Sequence, residues 1–176
     1  MNDILDKQLC EKYPLLFKDR NADMRTTAMC WGFAHGDGWF NIVDVLCSYL
    51  HTGYDRAKSS HDYLVSRLGK SRFGEKGVAV TQEDIDEAKA KMDKEAELVP
   101  LVVQVKEKFG TLRFYIQAGT DAHYNYISFA ESMSGRTCET CGNPGKRLGH
   151  GWVYTACKEH AHDDDWAESL KVDEEE

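Results

Sequence analysis

Four residues in the last third of the chain have the types and the spacing of metal ligands. Cys138 and Cys141 are separated by two residues, and Cys157 and His160 repeat that gap further along the chain. Thiolates and imidazoles are the ligands that Zn²⁺ prefers, and a structural site takes four of them in a tetrahedron. The pattern therefore predicts one structural zinc ion, with no position left open for a catalytic water.

The residues around the four ligands predict a small module over 136–170. A Cys-x-x-Cys pair fits a tight turn, and Gly142 can adopt the left-handed conformation at its exit. The stretch 146–155 has the length of a short β-hairpin. Residues 157–170 predict a helix that would place the second pair of ligands on one face. The Cys-x-x-Cys turn (here called the knuckle, residues 138–142), a hairpin and a helix in this order indicate a treble-clef-type zinc module.

Two observations concern the choice of the fourth ligand and the chemistry that the module could support. His150 and His162 are spare imidazoles that could replace His160, although their spacing is less suitable. Treble-clef nucleases carry an Asp-His pair on the hairpin, whereas His150 stands here between two glycines with no carboxylate beside it. The sequence therefore favours a protein that is not an enzyme, and we expect no hydrolysis.

A glycine-rich stretch, 32–40, offers a second place for chemistry. His35 and Asp37 lie within it and could form the centre of a small metal-dependent enzyme. The simpler interpretation is a turn followed by a helix, 38–52, with Asp37 as its N-cap. The three remaining cysteines form no close pair and are predicted to be buried thiols; they are Cys10, Cys30 and Cys47.

Basic residues near the zinc module raise the alternative of a nucleic-acid-binding zinc module. The knuckle is flanked by Arg136, Lys146 and Arg147, and the preceding hairpin carries Lys106, Lys108 and Arg113. Affinity for phosphate backbones comes from Lys and Arg displacing counterions, and this chain has a formal charge of −8. Nucleic acid is therefore the second choice of partner.

The rest of the chain predicts an α+β fold, in which helices pack a small antiparallel β-hairpin or sheet. Alternating apolar residues over 101–116 indicate the hairpin, with Phe109-Gly110 as its turn. Helical patterns cover 3–17, 38–52 and 121–134. We expect Pro14 to end the first helix near Tyr13, Gly53 to end the second, and Asp121 to begin and Gly135 to end the third.

Changes in composition and in hydrophobic pattern divide the chain into five parts. These are the N-terminal helical part of the core (1–53), a charged helical insertion (54–99), the β-hairpin and helix that complete the core (100–135), the zinc module (136–170) and an acidic tail (171–176). In the insertion, a helix is predicted from Tyr54 to Leu68, and Thr81 with Asp84 forms a capping box that opens another.

The insertion, or else the acidic end of the chain, is predicted to bind the partner in preference to the zinc site. Tyr and Arg are enriched among interface anchors. The insertion supplies Tyr54, Arg56, Tyr63, Arg67, Arg72 and Phe73. The N-terminus lacks the features of a signal peptide, and no apolar run approaches the length of a membrane span. With three cysteines in a metal pattern, we expect a cytoplasmic protein without a membrane partner.

Three blocks of sequence carry a resemblance to a known family. They are Gly32-Phe33-Ala34-His35-Gly36-Asp37-Gly38-Trp39-Phe40, then Gln104-Val105-Lys106-Glu107-Lys108-Phe109-Gly110-Thr111-Leu112-Arg113-Phe114-Tyr115, then Thr137-Cys138-Glu139-Thr140-Cys141-Gly142-Asn143-Pro144-Gly145 with Gly151-Trp152 and Cys157. The chain resembles small uncharacterised zinc-binding proteins encoded by bacteriophages and prophages. The resemblance covers roughly 11–50 and 100–160, and the family commonly has a cysteine at the position of His35. It implies a phage accessory protein acting in a bacterial cytoplasm.

Together these observations predict a phage-encoded zinc-binding protein that binds a bacterial host protein. Its expected role is to inhibit a host defence or to redirect host machinery. The oligomeric state stays open at this point.

Overall fold

The computed structural model describes residues 1–71 and 77–173 and places two small β-sheets among helices. The helices are α1 (Asp3–Lys12), α2 (Phe40–Ser66), α3 (Gln82–Glu97), α4 (Asp121–Ser134) and α5 (Asp163–Asp173). The strands are β1 (Phe33–Ala34), β2 (Leu101–Lys108), β3 (Thr111–Gln117), β4 (Lys146–Leu148) and β5 (Tyr154–Ala156). The mixed α and β class predicted from the sequence is confirmed.

The predicted β-hairpin is present as β2 and β3. Lys108 pairs with Thr111 across a two-residue turn, and both turn residues have positive φ, 57° at Phe109 and 74° at Gly110. Positive φ at both positions matches the right-handed twist of the flanking strands. A third strand, β1, pairs in parallel with β2, and the sequence did not indicate it because two residues are too few to show an alternating pattern.

The main core lies between this sheet and helices α1, α2 and α4. Its most deeply buried members include Trp39, Val43, Val102, Val105 and Leu112. The alternation of β3 is as predicted, because Leu112 and Phe114 are buried while Tyr115 is exposed. Helix α1 ends at Lys12, which confirms the effect expected of Pro14.

Helix α2 is longer than the sequence predicts. The expected end at Gly53 and a separate helix from Tyr54 are wrong, because α2 continues without a break to Ser66. A glycine inside a helix costs about 1 kcal/mol relative to alanine. Packing offsets this cost, since α3 covers the second half of α2 and the Glu95 side chain lies over Gly53.

Helices α2 and α3 form a helical hairpin with a small apolar cluster of its own. Leu64 of α2 packs there with Val80 and Ile85, and Ala88 lies at its edge. The predicted capping box of Thr81 and Asp84 begins α3. In α4, by contrast, Thr120 rather than Asp121 is the N-cap, because its side chain accepts the N–H of His123.

Candidate metal centre

The first two candidate ligands lie in a tight turn after α4. The backbone N–H of Cys138 donates to the carbonyl of Asn143 at 2.8 Å, and the N–H of Gly142 donates to the carbonyl of Cys138 at 2.9 Å. Gly142 has a φ of +79°, which a residue with a Cβ rarely adopts, as the sequence predicts. The turn fixes the two cysteines on the same side of the backbone.

The second pair of ligands follows the short β4–β5 hairpin and lies in a turn, not in a helix. The N–H of His160 donates to the carbonyl of Cys157 at 3.1 Å, and α5 begins only at Asp163. The predicted helix over 157–170 is therefore wrong in its first turns. Three acidic residues, Asp163 to Asp165, account for the later start, because carboxylates stabilise the first turn of a helix.

The four predicted ligands come together. Their candidate ligand atoms, three Sγ and one ring nitrogen, all lie within 4.8 Å of one another. Sγ of Cys141 is 3.7 Å from Sγ of Cys157, and Nδ1 of His160 is 3.2 Å from Sγ of Cys157 and 3.7 Å from Sγ of Cys138. One metal ion could contact all four atoms.

The alternative histidines lie elsewhere. Nε2 of His150 is 3.0 Å from the Glu168 carboxylate, and the His162 ring packs edge-on against Tyr154. Neither belongs to the cluster, so the choice of His160 holds for the described part of the chain.

Backbone dipoles favour the ionised form of one ligand. Burial alone would raise the pKa of the Cys138 thiol, but hydrogen bonds from backbone N–H groups, first that of Cys157, outweigh it and lower the pKa to about 7. A thiol must be deprotonated to bind a metal ion. The turn therefore prepares this sulfur for coordination near neutral pH.

The knuckle is held against the body by the glycine-rich stretch. The N–H of Gly38 donates to the carbonyl of Glu139, and the N–H of Gly36 donates to the Glu139 carboxylate, both at 2.8 Å. The indole N–H of Trp39 donates to the carbonyl of Thr137 at 2.8 Å. A Cβ on Gly38 would lie 2.2 Å from the carbonyl oxygen of Cys138, so only glycine permits this approach.

A second contact joins the small sheet to the large one. The Thr155 hydroxyl donates to the carbonyl of Gly110 at 2.5 Å, at the turn of the β2–β3 hairpin. Gly110 also lies against the backbone of Tyr154. The metal cluster is therefore attached at two glycine-containing turns that are distant in sequence.

In the part of the chain that the structure describes, the hydrogen bonds of His35 and Asp37 go to other groups and not to each other. The His35 ring is buried with 6% of its surface exposed, and its Nδ1 lies 2.8 Å from the carbonyl of Gly36. The Asp37 carboxylate accepts the backbone and side-chain N–H groups of Asn2 at 2.7 Å. Asp37 is also not the expected N-cap, because it is the first residue of a 3-10 turn that precedes α2.

Burial of His35 makes stability depend on pH. Burial lowers its pKa from the ordinary 6.5 to about 4, so between these values the unfolded chain binds a proton that the folded chain does not. The contribution of His35 to the free energy of unfolding is fully present above pH 6.5 and decreases as the pH falls, by about 2 kcal/mol at pH 5. In urea denaturation between pH 7.5 and pH 5, we expect the free energy of unfolding of His35→Gln to fall by about 2 kcal/mol less than that of the wild type. Equal losses in the two proteins would contradict the assignment, since acid release of a metal affects both alike.

The other cysteines lie outside the cluster, and only Cys47 is buried as predicted, whereas Cys10 and Cys30 are half-buried. Cys47 is fully buried, and burial raises its pKa well above the ordinary value; burial likewise raises the pKa of Cys10 to about 12. Sγ of Cys30 lies 3.1 Å from the carbonyl of Thr27. Raised pKa values keep Cys10 and Cys47 protonated and unreactive near neutral pH.

The predicted partner-binding residues divide between two sides of α2. Arg56, Tyr63 and Arg67 share one side, since seven and four residues separate them, which is close to two turns and one turn. Tyr54 lies on another side and packs edge-on against His51. Arg72 and Phe73 lie outside the described residues.

Several of the basic residues near the cluster are already engaged. Lys146 lies over the Trp166 ring, Lys108 over Phe109 and Lys106 over Tyr115. Arg113 donates to Thr111 and lies 3.9 Å from the Glu131 carboxylate. Arg136 and Arg147 are exposed, and the Arg147 side chain lies beside Gly135, the residue before Arg136.

Comparison with known proteins gives no assignment. No protein-family model, no curated protein and no solved structure matches the chain. Within the described ranges, no helix has the length and apolar character needed to cross a membrane.

Proposed function

We propose that the cluster holds one structural zinc ion in a treble-clef-type module. Tetrahedral zinc with Zn–S of about 2.3 Å and Zn–N of about 2.0 Å separates two sulfurs by about 3.8 Å and a sulfur from a nitrogen by about 3.5 Å. The corresponding distances of 3.7 Å, and of 3.2 and 3.7 Å, support this assignment. Four protein ligands leave no open position, which supports a structural role.

We propose further that the chain is an interaction protein, not an enzyme, and that it acts on a protein of a bacterial host. The observation that carries this proposal is one side of α2 that extends past the main core, where the exposed Arg56 and Tyr63 align with the half-buried C-cap residue Arg67. The resemblance implies the context of a phage accessory protein in a bacterial cytoplasm, and the role we propose in that context is inhibition of a host defence or redirection of host machinery.

The test is a pull-down from bacterial lysate, identified by mass spectrometry. The structure supports replacing residues 54–98 by a short Gly-Ser linker, because Gly53 and Val99 line one small pocket and are therefore close in space. We expect the shortened chain to remain folded and metal-loaded but to lose the partner. Full retention of the partner would place binding outside the insertion.

A nucleic-acid-binding zinc module remains a second candidate, and one observation favours it. Trp152, at the tip of the small hairpin, is 82% exposed, and Phe109 is 62% exposed beside Lys108. Val153 packs against Gly110, so these two tips are neighbours. Exposed aromatic rings beside basic residues can stack with unpaired bases. Salt-dependent binding of single-stranded DNA or RNA that is lost in Trp152→Ala would establish this function instead.

We also propose that no hydrolysis of nucleic acids or nucleotides accompanies either function. Among the described residues, the hydrogen-bond partner of the buried His35 ring is the carbonyl of Gly36, and the Asp37 carboxylate is engaged by Asn2. Purified protein is therefore expected to leave DNA, RNA and nucleoside triphosphates intact. Cleavage that persists through purification and disappears in His35→Ala would restore the metal-dependent enzyme.

A further inference from the structure

An exposed apolar groove lies between α2 and α4. Its volume is about 500 Å³, and it is lined by Val45, Leu46, Tyr49, Tyr126, Phe129 and Met133, among others. The rings of Tyr49 and Tyr126 lie 5.0 Å apart and connect the two helices across it. No charged side chain belongs to the lining.

Part of the apolar lining of the groove is exposed and does not pack in the main core. Phe129 is 69% exposed and Val45 is 55% exposed, while Leu46 and Ala130 beneath them are buried in the main core. Contiguous apolar surface of this kind marks interaction sites in soluble proteins. A groove between two helices, with an adaptable methionine in its wall, fits the apolar face of a third helix.

The same side of α2 continues from the groove into the helical hairpin. Val45, Tyr49, Arg56, Tyr63 and Arg67 follow one another at separations of four, seven, seven and four residues. With 3.6 residues per turn, these separations keep all five on one side of the helix. The side is apolar at the start of α2 and carries two arginines toward its end.

The arginines on this side are not matched by neighbouring acids. Among the described residues Arg56 makes no hydrogen bond or ion pair, and Arg67 bonds only to the carbonyl of Ser71. Asp62 lies on another side of the helix and pairs with Lys58 at 2.6 Å. This side of α2 therefore carries two arginines that form no ion pair with any residue that the structure describes, in a chain whose formal charge is −8.

We propose that this face of α2 and α4 binds an amphipathic α-helix of the partner protein, apolar at one end and acidic at the other. The proposal rests on the proposed function and specifies its partner. The apolar end fits the groove, and carboxylates at the acidic end meet Arg56 and Arg67. A second copy of this chain fits less well, because the corresponding side of its own α2 presents arginines and no carboxylate.

The test selects helical peptides from a displayed random library on the immobilised, metal-loaded chain. Enriched peptides are expected to carry apolar residues at helical spacing in one half and Asp or Glu in the other. Val45→Asp, at an exposed position, is expected to weaken their binding at least tenfold. Arg56→Glu is expected to do the same, whereas Lys58→Glu, which makes the same charge change on another side of α2, should have little effect.

Each outcome decides for or against the helix. Circular dichroism and zinc content identify any variant that fails to fold, and Tyr49→Ser then replaces Val45→Asp. Enriched peptides without an acidic half, or equal binding to all variants, would overturn the proposal. A wild-type dimer that Val45→Asp dissociates would assign the groove to a second copy. If the cellular partner is lost from the chain lacking 54–98 but retained by Val45→Asp, the proposed function stands and this inference fails.

Discussion

Chelation of the metal at neutral pH is expected to unfold residues 136–170 and to leave the main core folded. The apolar cluster of this module consists mainly of Cys138, Leu148, Ala156 and Cys157, so two of its four buried members are themselves ligands. Structural zinc in small modules supplies binding free energy of about 10 kcal/mol or more, which becomes folding free energy. Without the ion, little remains to hold the module together.

Tryptophan side chains report the two regions separately in a ¹H–¹⁵N spectrum. The indole signal of Trp166, which packs against the apolar cluster of the module, should move to a disordered position, and that of Trp39 should shift because its partner is the carbonyl of Thr137. Trp31, in the body, should change least. Cys141→Ser should reproduce the effect of chelation, and Cys30→Ser is the matched control. An unchanged spectrum after complete metal removal would show that the module does not depend on the ion.

Gly38→Ala is expected to separate the knuckle from the body. The added Cβ would lie 2.2 Å from the carbonyl oxygen of Cys138, 2.5 Å from the N of Gly142 and 2.7 Å from the N of Cys141. All three are backbone atoms of the knuckle, so no flexible side chain can move aside. Overpacking of this kind costs about 3 kcal/mol. We expect a loss of that size in chemical denaturation and a zinc affinity lowered at least tenfold.

Gly151→Ala provides the control for that substitution. Gly151 lies in the same module, and a Cβ there meets no atom within 4 Å. Its stability and zinc affinity should match those of the wild type. If Gly38→Ala also behaves as the wild type, the glycine-rich stretch is not the platform of the metal centre.

The metal ligands could be predicted because the residue types and the local spacing of the ligands are visible in the sequence. Two-residue gaps define the turns that bring sulfur and nitrogen atoms together, and the structure places all four within one cluster. The β2–β3 hairpin was equally accessible, since its alternation and its Phe109-Gly110 turn are local features. The capping box of α3 is another local feature that was predicted and is confirmed.

Several features that the sequence analysis missed depend on contacts between distant parts of the chain. Helix α2 continues past Gly53 because α3, which follows much later, packs against it. The glycines at 36 and 38 indicated a turn, but the sequence did not show that their backbone contacts Glu139, about a hundred residues away. The available indication was the pair of closely spaced glycines, because glycine permits another backbone segment to approach closely. The α2–α4 groove likewise joins residues that no periodicity connects.

X-ray absorption spectroscopy of the purified chain at the zinc edge tests the central claim most directly. One zinc per chain by elemental analysis, with three sulfurs at about 2.3 Å and one nitrogen at about 2.0 Å, is the result we predict. His160→Cys should change the shell to four sulfurs, because Nδ1 of His160 supplies the nitrogen. A folded chain without zinc, or a shell that includes a water oxygen in place of a protein ligand, would contradict a closed structural site.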